Sequence, residues 1–356
     1  MATTNTGTAA PSRENVSSLT WKADPLGPRF EQAPLHLPDD AEATLVRYVP
    51  STVVGADGVA ERPVAVLYVH GFVDYFFHPH VAEALSAAGY AFYAVDLRGY
   101  GRSMPEWLAE GRKPNMVNDI AAYAADLDAA AEAVRARGHS KLVVMAHSMG
   151  GLVATLWQNG AIPAVDGVEA APGAKTKSIR ADALVLNAPW FDLNENALLR
   201  GPGTDAIRLL SKFAPELPVG GLKPYYGKSL HKDTGGEWDF DLTWKPHEGF
   251  PVQAAWLTSI RKGHKRLMDG AICLHVPVLV LASTRSGSAK QWHPEVLTTD
   301  SVLDVTDIAV GASKIGDDVT FIQIPGGAHD LALSREPARN EYLAAVIAWL
   351  KAKVPA

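Results

Sequence analysis

Short apolar runs alternate with longer amphipathic stretches along most of this chain. Most of the short runs are apolar throughout, as strands buried on both faces of a sheet are. They cover residues 43–49, 63–69, 91–95, 141–145, 183–186, 276–282 and 319–324. The first run alternates weakly and is predicted to be an early antiparallel strand. The alternation as a whole predicts an α/β fold, with a mostly parallel central sheet and helices on both of its faces.

Helical periodicity is strongest in residues 115–138, where apolar side chains recur at steps of three and four. Asn118 or Asp119 is predicted to start this helix, and Gly138 stands where a C-capping glycine is expected. Further helices are predicted over residues 80–88, 149–158 and 337–354.

Residues 189–270 interrupt the alternation of strands and helices and are rich in proline, glycine and aromatic residues. A structureless loop of this length is uncommon inside a compact domain. We therefore predict an inserted cap subdomain with short helices near residues 203–213 and 252–268. Most of its aromatic side chains are expected to pack against the main domain, and a minority to line a pocket beneath the cap. The core is then predicted to comprise residues 21–188 and 271–356, after a disordered N-terminal segment of residues 1–20.

The composition is that of an ordinary globular protein, with 356 residues, 47% apolar residues and a net charge of −6. Mild acidity argues against nucleic acid as a partner. Residues 1–18 lack the basic start and apolar core of a signal peptide, and no apolar run is long enough to span a bilayer, so we expect a cytoplasmic protein. The single cysteine, Cys273, excludes an intrachain disulfide and is expected to be buried as a small apolar residue.

The most informative motif follows the predicted strand at residues 141–145. Ser148 stands between a buried strand and a predicted helix, with the small residues Ala146 and Gly150 on either side, in the small-x-Ser-x-Gly pattern of a nucleophile elbow. Such a turn projects the hydroxyl above the sheet edge and brings the N-terminus of a helix near developing negative charge. The alternative is a serine that only caps the helix.

Two other strand ends carry turn motifs. The run at residues 63–69 ends in His70-Gly71-Phe72, and in folds with a nucleophile elbow the loop at this place donates one hydrogen bond to the oxyanion. The predicted donors are the backbone N–H groups of Phe72 and Met149, and His70 is expected to form structural hydrogen bonds.

The second loop, residues 96–103, contains two closely spaced glycines. Asp96, Arg98 and Arg102 are expected to tie it together through hydrogen bonds and ion pairs. No Lys-Ser or Lys-Thr pair follows, so we reject nucleotide binding.

In this order and spacing, His70-Gly71-Phe72, residues 96–103 and residues 147–151 resemble the monoacylglycerol lipase and lysophospholipase-like branch of the α/β-hydrolases, also called serine aminopeptidase S33-like. The resemblance covers about residues 40–352. It implies a Ser–Asp–His triad in that chain order and a cap between the sixth and seventh strands of the sheet. The expected activity is hydrolysis of carboxylic esters through an acyl-enzyme, as in a carboxylesterase, a monoacylglycerol lipase or a lysophospholipase.

The remaining members of the triad are expected near the C-terminus. His329 follows the last predicted strand on a glycine-rich loop and matches the Gly-x-His position of the family. No aspartate occurs in residues 284–299, where the family usually has its acid, and the match favours Asp300, with Asp304 and Glu295 as alternatives. Asp330 is expected to face outward.

Further candidates complete the prediction. Residues proposed for the substrate pocket are Asp74, Tyr75, His147 and Trp190. The substrate is expected to be a small ester or a lipid-like molecule. Neither a cofactor nor a metal is predicted, since His78 and His80 lack a third ligand at a suitable spacing. The elbow serine is also compatible with a peptidase, an amidase, a C–C hydrolase or an acyltransferase, and a non-catalytic binding protein ranks below these.

Overall fold

The computed structural model describes residues 19–50, 62–160, 179–194 and 199–356. Most of the N-terminal segment predicted to be disordered, residues 1–20, lies outside the described residues. The strands in chain order are β1 (Lys22–Ala23), β2 (Phe30–His36), β3 (Glu42–Tyr48), β4 (Val64–Val69), β5 (Ala91–Asp96), β6 (Lys141–His147), β7 (Ala183–Asn187), β8 (Pro218–Gly220), β9 (Val252–Gln253), β10 (Val278–Ser283) and β11 (Val319–Ile324).

In the described part of the chain, nine of these strands form one sheet in the order β1-β2-β3-β5-β4-β6-β7-β10-β11. The strands from β5 to β11 in that order are parallel to one another, whereas β1, β2 and β3 form an antiparallel edge, with β3 antiparallel to β5. Every residue of β4, β5 and β10 is buried, because helices cover both faces of the parallel part. The predicted fold class and the early antiparallel strand are confirmed.

Nine α-helices are present among the described residues. They are α1 (Pro79–Ala87), α2 (Met104–Ala109), α3 (Tyr123–Arg135), α4 (Met149–Gln158), α5 (Thr204–Ser211), α6 (Pro224–Leu230), α7 (Ala254–Met268), α8 (Val305–Ala312) and α9 (Ala338–Lys353). No helix in the described ranges is long and apolar enough to cross a membrane.

The two faces of the sheet bury separate cores. Side chains of β4 alternate between them: Leu67 and Val69 join the core covered by α3, α4 and α8, whereas Val66 and Tyr68 join the core covered by α1 and α9. Burial of both faces explains why the strand runs in the sequence are almost continuously apolar.

The helical pattern covers residues from 115 onward, but the chain turns helical only after Asp119, one of the two predicted starts, because local hydrogen bonds hold the preceding residues in a loop. Asn115 adopts a positive φ of 59°, and both its backbone N–H and its side-chain amide donate to the carbonyl of Gly99. Asp119 then accepts the N–H of Ala121 and starts a short 3-10 turn, which leads into α3 at Tyr123.

Cys273 is exposed, so the prediction that it is buried is wrong. Its neighbours Ile272 and Leu274 are buried, and in an extended segment the side chain between two inward-facing residues points outward.

The segment predicted as a cap joins β7 to β10, which are the sixth and seventh strands of the sheet when the two-residue β1 is set aside. Its described residues form α5, α6 and α7, and β8 pairs with β9 in a separate antiparallel ribbon. The short helices predicted near residues 203–213 and 252–268 are confirmed by α5 and α7.

Candidate active site

Ser148 occupies the sharp turn between β6 and α4, with a φ of 51° and a ψ of −117°. A positive φ costs a non-glycine residue about 1–3 kcal/mol and persists only where surrounding contacts enforce it. Glycines permit those contacts, since a Cβ on Gly150 would lie 2.3 Å from the carbonyl oxygen of His70, and one on Gly151 would lie 2.7 Å from the Cβ of Pro189. Strand, turn and helix therefore approach closely enough to hold the serine in its strained conformation.

A chain of hydrogen bonds runs from Ser148 through His329 to Asp300. The Oγ of Ser148 lies 3.0 Å from Nε2 of His329, and Nδ1 of His329 lies 3.0 Å from the carboxylate of Asp300. The exposed fractions of the three residues are 8%, 3% and 0%. Asp300 also accepts the N–H groups of Val302 at 3.0 Å and Leu303 at 2.7 Å, which fixes the carboxylate. With Nδ1 directed at a carboxylate, Nε2 is available to accept the hydroxyl proton of Ser148.

The two alternative acids lie elsewhere. Asp304 caps α8, where its carboxylate accepts the N–H of Thr306 at 2.9 Å and the hydroxyl of Ser286 at 3.1 Å. Glu295 is exposed and lies 3.6 Å from Arg285. Of the three candidates, the structure brings Asp300 to His329.

The predicted oxyanion donors lie on either side of Ser148. A Cβ on Gly71 would lie 3.2 Å from the Cβ of Ser148, so the turn that carries Phe72 packs directly against the serine. Met149 begins α4 immediately after the serine. Within the described ranges, the backbone N–H groups of Phe72 and Met149 have no protein acceptor. Both are therefore available to a ligand.

His70 forms the structural contacts expected from its place before the turn glycine. Its Nε2 accepts the N–H of Leu97 at 3.0 Å, and its Nδ1 lies 2.7 Å from the carbonyl of Gly71. Burial lowers the pKa of His70, which favours the neutral ring that these two contacts require.

The loop at residues 96–103 is tied together by ion pairs, as predicted, although two of the partners lie outside it. Arg102 pairs with Asp96 at 2.8 Å and with Asp24 at 2.6 Å. Arg98 pairs with Asp126 of α3 at 2.6 Å. These buried pairs hold the loop to Asp24 and to α3.

Asp330 is buried, with 2% of its surface exposed, so the prediction that it faces outward is wrong. Its carboxylate accepts the side-chain N–H of Asn187 at 2.7 Å and lies 3.2 Å from Nε2 of His78, while its backbone N–H donates to the hydroxyl of Tyr226 at 2.9 Å. Burial alone would raise the pKa of this carboxyl, but His147, His78 and Asn187 outweigh it and hold the pKa below its usual value.

A cavity of about 570 Å³ opens above Ser148. Three of the four predicted pocket residues line it, namely Asp74, His147 and Trp190. The fourth does not, because the ring of Tyr75 packs against Trp244 and its hydroxyl accepts a backbone N–H from the segment predicted as a cap. Lining residues that the sequence analysis missed include Leu193, Ile207, Tyr226, Lys245, Trp256 and Leu257.

His147 lines the cavity beside His329, and its Nε2 lies 3.9 Å from the carboxylate of Asp330. Its ring centroid lies 4.8 Å from that of His329, and its Nδ1 lies 3.1 Å from the carbonyl of Asn187. Burial lowers the pKa of His147 to about 4, with Asp330 opposing the shift, so the ring is neutral at pH 7.

The sequence profile of the serine aminopeptidase S33 family matches residues 60–287. The chain belongs to this family. A monoacylglycerol lipase from Mycolicibacterium smegmatis is 30% identical over 162 residues, which are 44% of this chain and 48% of that protein. The chain thus matches about half the length of this curated relative.

Solved structures share the fold of this S33-family chain. A soluble variant of monoglyceride lipase from Saccharomyces cerevisiae, in complex with a substrate analog, has a TM-score of 0.62 at 16% identity, covering 97% of each chain. A carboxyl esterase from Bacillus coagulans has a TM-score of 0.60 at 13% identity, covering 92% of this chain and 99% of that one. A monoacylglycerol lipase from Paleococcus ferrophilus has a TM-score of 0.56 at 16% identity, covering 81% and 94%. At such identities the likeness shows the α/β-hydrolase fold.

Proposed function

We propose that this protein is a serine hydrolase of carboxylic esters, with Ser148 as nucleophile, His329 as general base and Asp300 as the acid that orients the histidine. The observation that carries the proposal is the continuous pair of 3.0 Å contacts from the Ser148 hydroxyl to the Asp300 carboxylate, beneath an open cavity. Nucleophile, base and orienting acid are the three parts that acyl transfer by a serine requires.

The reaction follows from the direction of these hydrogen bonds. His329 takes the proton of Ser148 as the serine oxygen attacks the carbonyl carbon, and Asp300 stabilises the imidazolium that forms. Protonated His329 then donates that proton to the departing alcohol, which leaves an acyl-enzyme on Ser148. Water, deprotonated by His329, attacks the acyl carbon. His329 then returns the proton to the oxygen of Ser148 as the carboxylic acid product leaves, which regenerates the free serine.

The N–H groups of Phe72 and Met149 are proposed to bind the oxyanion in both tetrahedral intermediates. Removal of one donor of this kind typically costs about 2.7–4 kcal/mol of transition-state stabilisation. The N-terminus of α4 adds its positive dipole end at the same place.

The cavity supports a lipid-like or otherwise apolar ester as substrate. Its volume of about 570 Å³ is typical of small-molecule sites, and much of its wall is apolar. The apolar lining residues include Phe72, Trp190, Leu193, Ile207, Val252, Trp256, Leu257 and Leu333. We propose that residues 189–270 are a cap over a core of residues 21–188 and 271–356, since this segment supplies much of that wall. The relatives named as monoacylglycerol lipases support the same substrate class.

The test is hydrolysis of p-nitrophenyl esters from acetate to palmitate, with p-nitroanilides of the same acids in parallel. We expect turnover of esters, and a loss of activity in Ser148→Ala of at least about 10⁴-fold. Ser313→Ala is the matched control, because Ser313 is exposed and its hydroxyl donates to the carbonyl of Val310 three residues before it.

A fluorophosphonate probe provides the second readout. It should label the native protein and Ser313→Ala but leave Ser148→Ala unlabelled. If the protein hydrolysed the p-nitroanilides and not the p-nitrophenyl esters, it would be an amidase instead of an esterase. A native protein that neither turns over esters nor reacts with the probe would refute catalysis by Ser148.

A further inference from the structure

A lysine from the segment proposed as a cap reaches the turn that carries the Phe72 N–H. The Nζ of Lys245 donates to the carboxylate of Asp74 at 2.8 Å and to the carbonyl of Val73 at 3.2 Å. The other carboxylate oxygen of Asp74 accepts the N–H of Gly71 at 3.2 Å. The ammonium group therefore binds residues 73 and 74 directly and is linked to Gly71 through the carboxylate of Asp74.

The backbone of this turn is strained. Val73 has a φ of 50°, a left-handed conformation that is unfavourable for a β-branched residue. Such a conformation persists only where neighbouring groups hold it. The carbonyl of Val73 is bound by Lys245, and Gly71 on the other side of Phe72 packs against Ser148. The contact with Lys245 thus stabilises the backbone orientation on which the direction of the Phe72 N–H depends.

The side chains of Lys245 and Asp74 are largely buried, with exposed fractions of 12% and 3%. Burial alone would raise the pKa of Asp74, but Lys245 and then the nearby histidines outweigh it, so its pKa lies below the usual value. Removing one member of a buried ion pair leaves the other charged and unpaired, so each member depends on the other.

Lys245 is held in place by a turn that packs on the core. The carbonyl of Asp241 accepts the N–H groups of Trp244 and Lys245 at 3.2 and 2.9 Å, and the N–H of Asp241 donates to the hydroxyl of Tyr75 at 2.8 Å. The rings of Trp244 and Tyr75 meet edge to face, with centroids 5.1 Å apart. Lys245 therefore reaches Val73 and Asp74 when residues 241–245 are packed against Tyr75.

We propose that Lys245 is a positioning residue for the turn at residues 71–74, which carries the Phe72 N–H. That turn reaches its productive geometry only while residues 241–245 are docked on the core. This inference rests on the proposed ester hydrolysis at Ser148. Lys245 acts through Val73 and Asp74 and not on the substrate itself. It couples the segment above the cavity to stabilisation of the tetrahedral intermediate.

The experiment compares Lys245→Met, which keeps the length of the side chain and removes its charge, with Lys245→Arg and Asp74→Asn. Lys212→Met is the matched control, since Lys212 is exposed in the same segment and follows α5. For each protein, kcat and KM are measured on a p-nitrophenyl ester. The inhibition constant of a trifluoromethyl ketone is measured as well, because that compound forms a tetrahedral oxyanion adduct on a catalytic serine.

For Lys245→Met we expect kcat to fall by about 10–100-fold with KM changed by less than about threefold, since an interaction of the transition state alone is lost. The inhibition constant of the ketone should rise by the same factor. Lys245→Arg should keep most of the native kcat. The kcat of Asp74→Asn should lie between those of the native protein and Lys245→Met, and Lys212→Met should match the native protein.

Three outcomes would overturn the inference. One is unchanged kcat in both Lys245→Met and Asp74→Asn. Another is a rise in KM without weaker binding of the ketone, which would make Lys245 a substrate-binding group. The third is a fall in activity that follows only the loss of thermal stability and is not rescued by arginine. Failure of the proposed function is distinguishable, because it would appear in the native protein as absence of ester turnover and of fluorophosphonate labelling.

Discussion

The carboxylate of Asp300 lies 3.0 Å from Nδ1 of His329, although the loop of residues 284–299 separates Asp300 from the end of β10. That loop folds back onto its own beginning, since Ser286 and Asp300 pair in an isolated parallel bridge and the N–H of Gly287 donates to the carbonyl of Asp300. Asp300, the proposed acid, is therefore distant from β10 in sequence but lies near the end of that strand in space.

Replacement of Asp300 by asparagine is expected to lower kcat by about 10⁴-fold at neutral pH. An amide cannot hold the histidine in the tautomer that accepts the serine proton, and it cannot stabilise the imidazolium. Steady-state kinetics on a p-nitrophenyl ester provide the measurement.

Asp304→Ala separates the two candidate acids. Asp304 caps α8, so its loss should lower the free energy of unfolding by about 1 kcal/mol and leave kcat within a fewfold of the native value. The reverse pattern, with Asp304 essential and Asp300 dispensable, would assign the acid to Asp304.

The close packing behind the turn at Ser148 predicts that Gly150→Ala is strongly destabilising. Its new Cβ would lie 2.3 Å from the carbonyl oxygen of His70, a backbone atom that cannot rotate away. We expect the free energy of unfolding to fall by at least about 1–3 kcal/mol, measured by chemical denaturation. Gly221→Ala is the control, since a Cβ there has no neighbour within 4 Å and Gly221 has no left-handed φ. Equal stability of the two variants would contradict the packing described for the turn.

Much of the fold and part of the site could be predicted because their signals are local. Ser148 and His329 each follow an apolar strand and carry small residues beside them, and both features are visible in sequence. Lys245 and Tyr226 could not be predicted, since they lie in a segment without periodicity and act through partners distant in the chain. The helices α2, α6 and α8 were not predicted. The six residues of α2 and the seven of α6 give too few turns to establish a repeat.

Stability should decrease as the pH falls from about 6.5 to 4. Burial is the main reason that the pKa values of His147 and His80 lie at about 4, against about 6.5 in an unfolded chain. Between pH 4 and pH 6.5 the unfolded state binds more protons than the folded state. The free energy of unfolding is therefore highest above pH 6.5 and falls on acidification, by up to about 3 kcal/mol for each ring. Denaturation curves between pH 4 and 8 should show this slope.

His80→Gln checks the origin of that slope. Glutamine can still donate to the carbonyl of Ala332, which lies 2.8 Å from Nε2 of His80, but it does not titrate. The variant should therefore lose less stability than the native protein between pH 6.5 and 4. A slope identical to the native one would mean that His80 does not contribute.

The hydroxyl of Tyr226 is expected to hold the loop that carries His329. It accepts the backbone N–H of Asp330 at 2.9 Å, and the Tyr226 ring meets that of His329 edge to face with centroids 5.6 Å apart. In Tyr226→Phe the N–H of Asp330 loses its acceptor, which typically costs about 1–3 kcal/mol, and the loop gains freedom next to His329. We expect a lower free energy of unfolding and a fall in kcat of about 3–30-fold, with KM little changed.

Tyr225→Phe is the matched control for this prediction, because Tyr225 neighbours Tyr226 on α6 and does not line the cavity. It should leave kcat and stability near the native values. An increase in KM in Tyr226→Phe at constant kcat would show instead that the hydroxyl binds substrate. Equal effects of the two substitutions would show that the contact with Asp330 does not position His329.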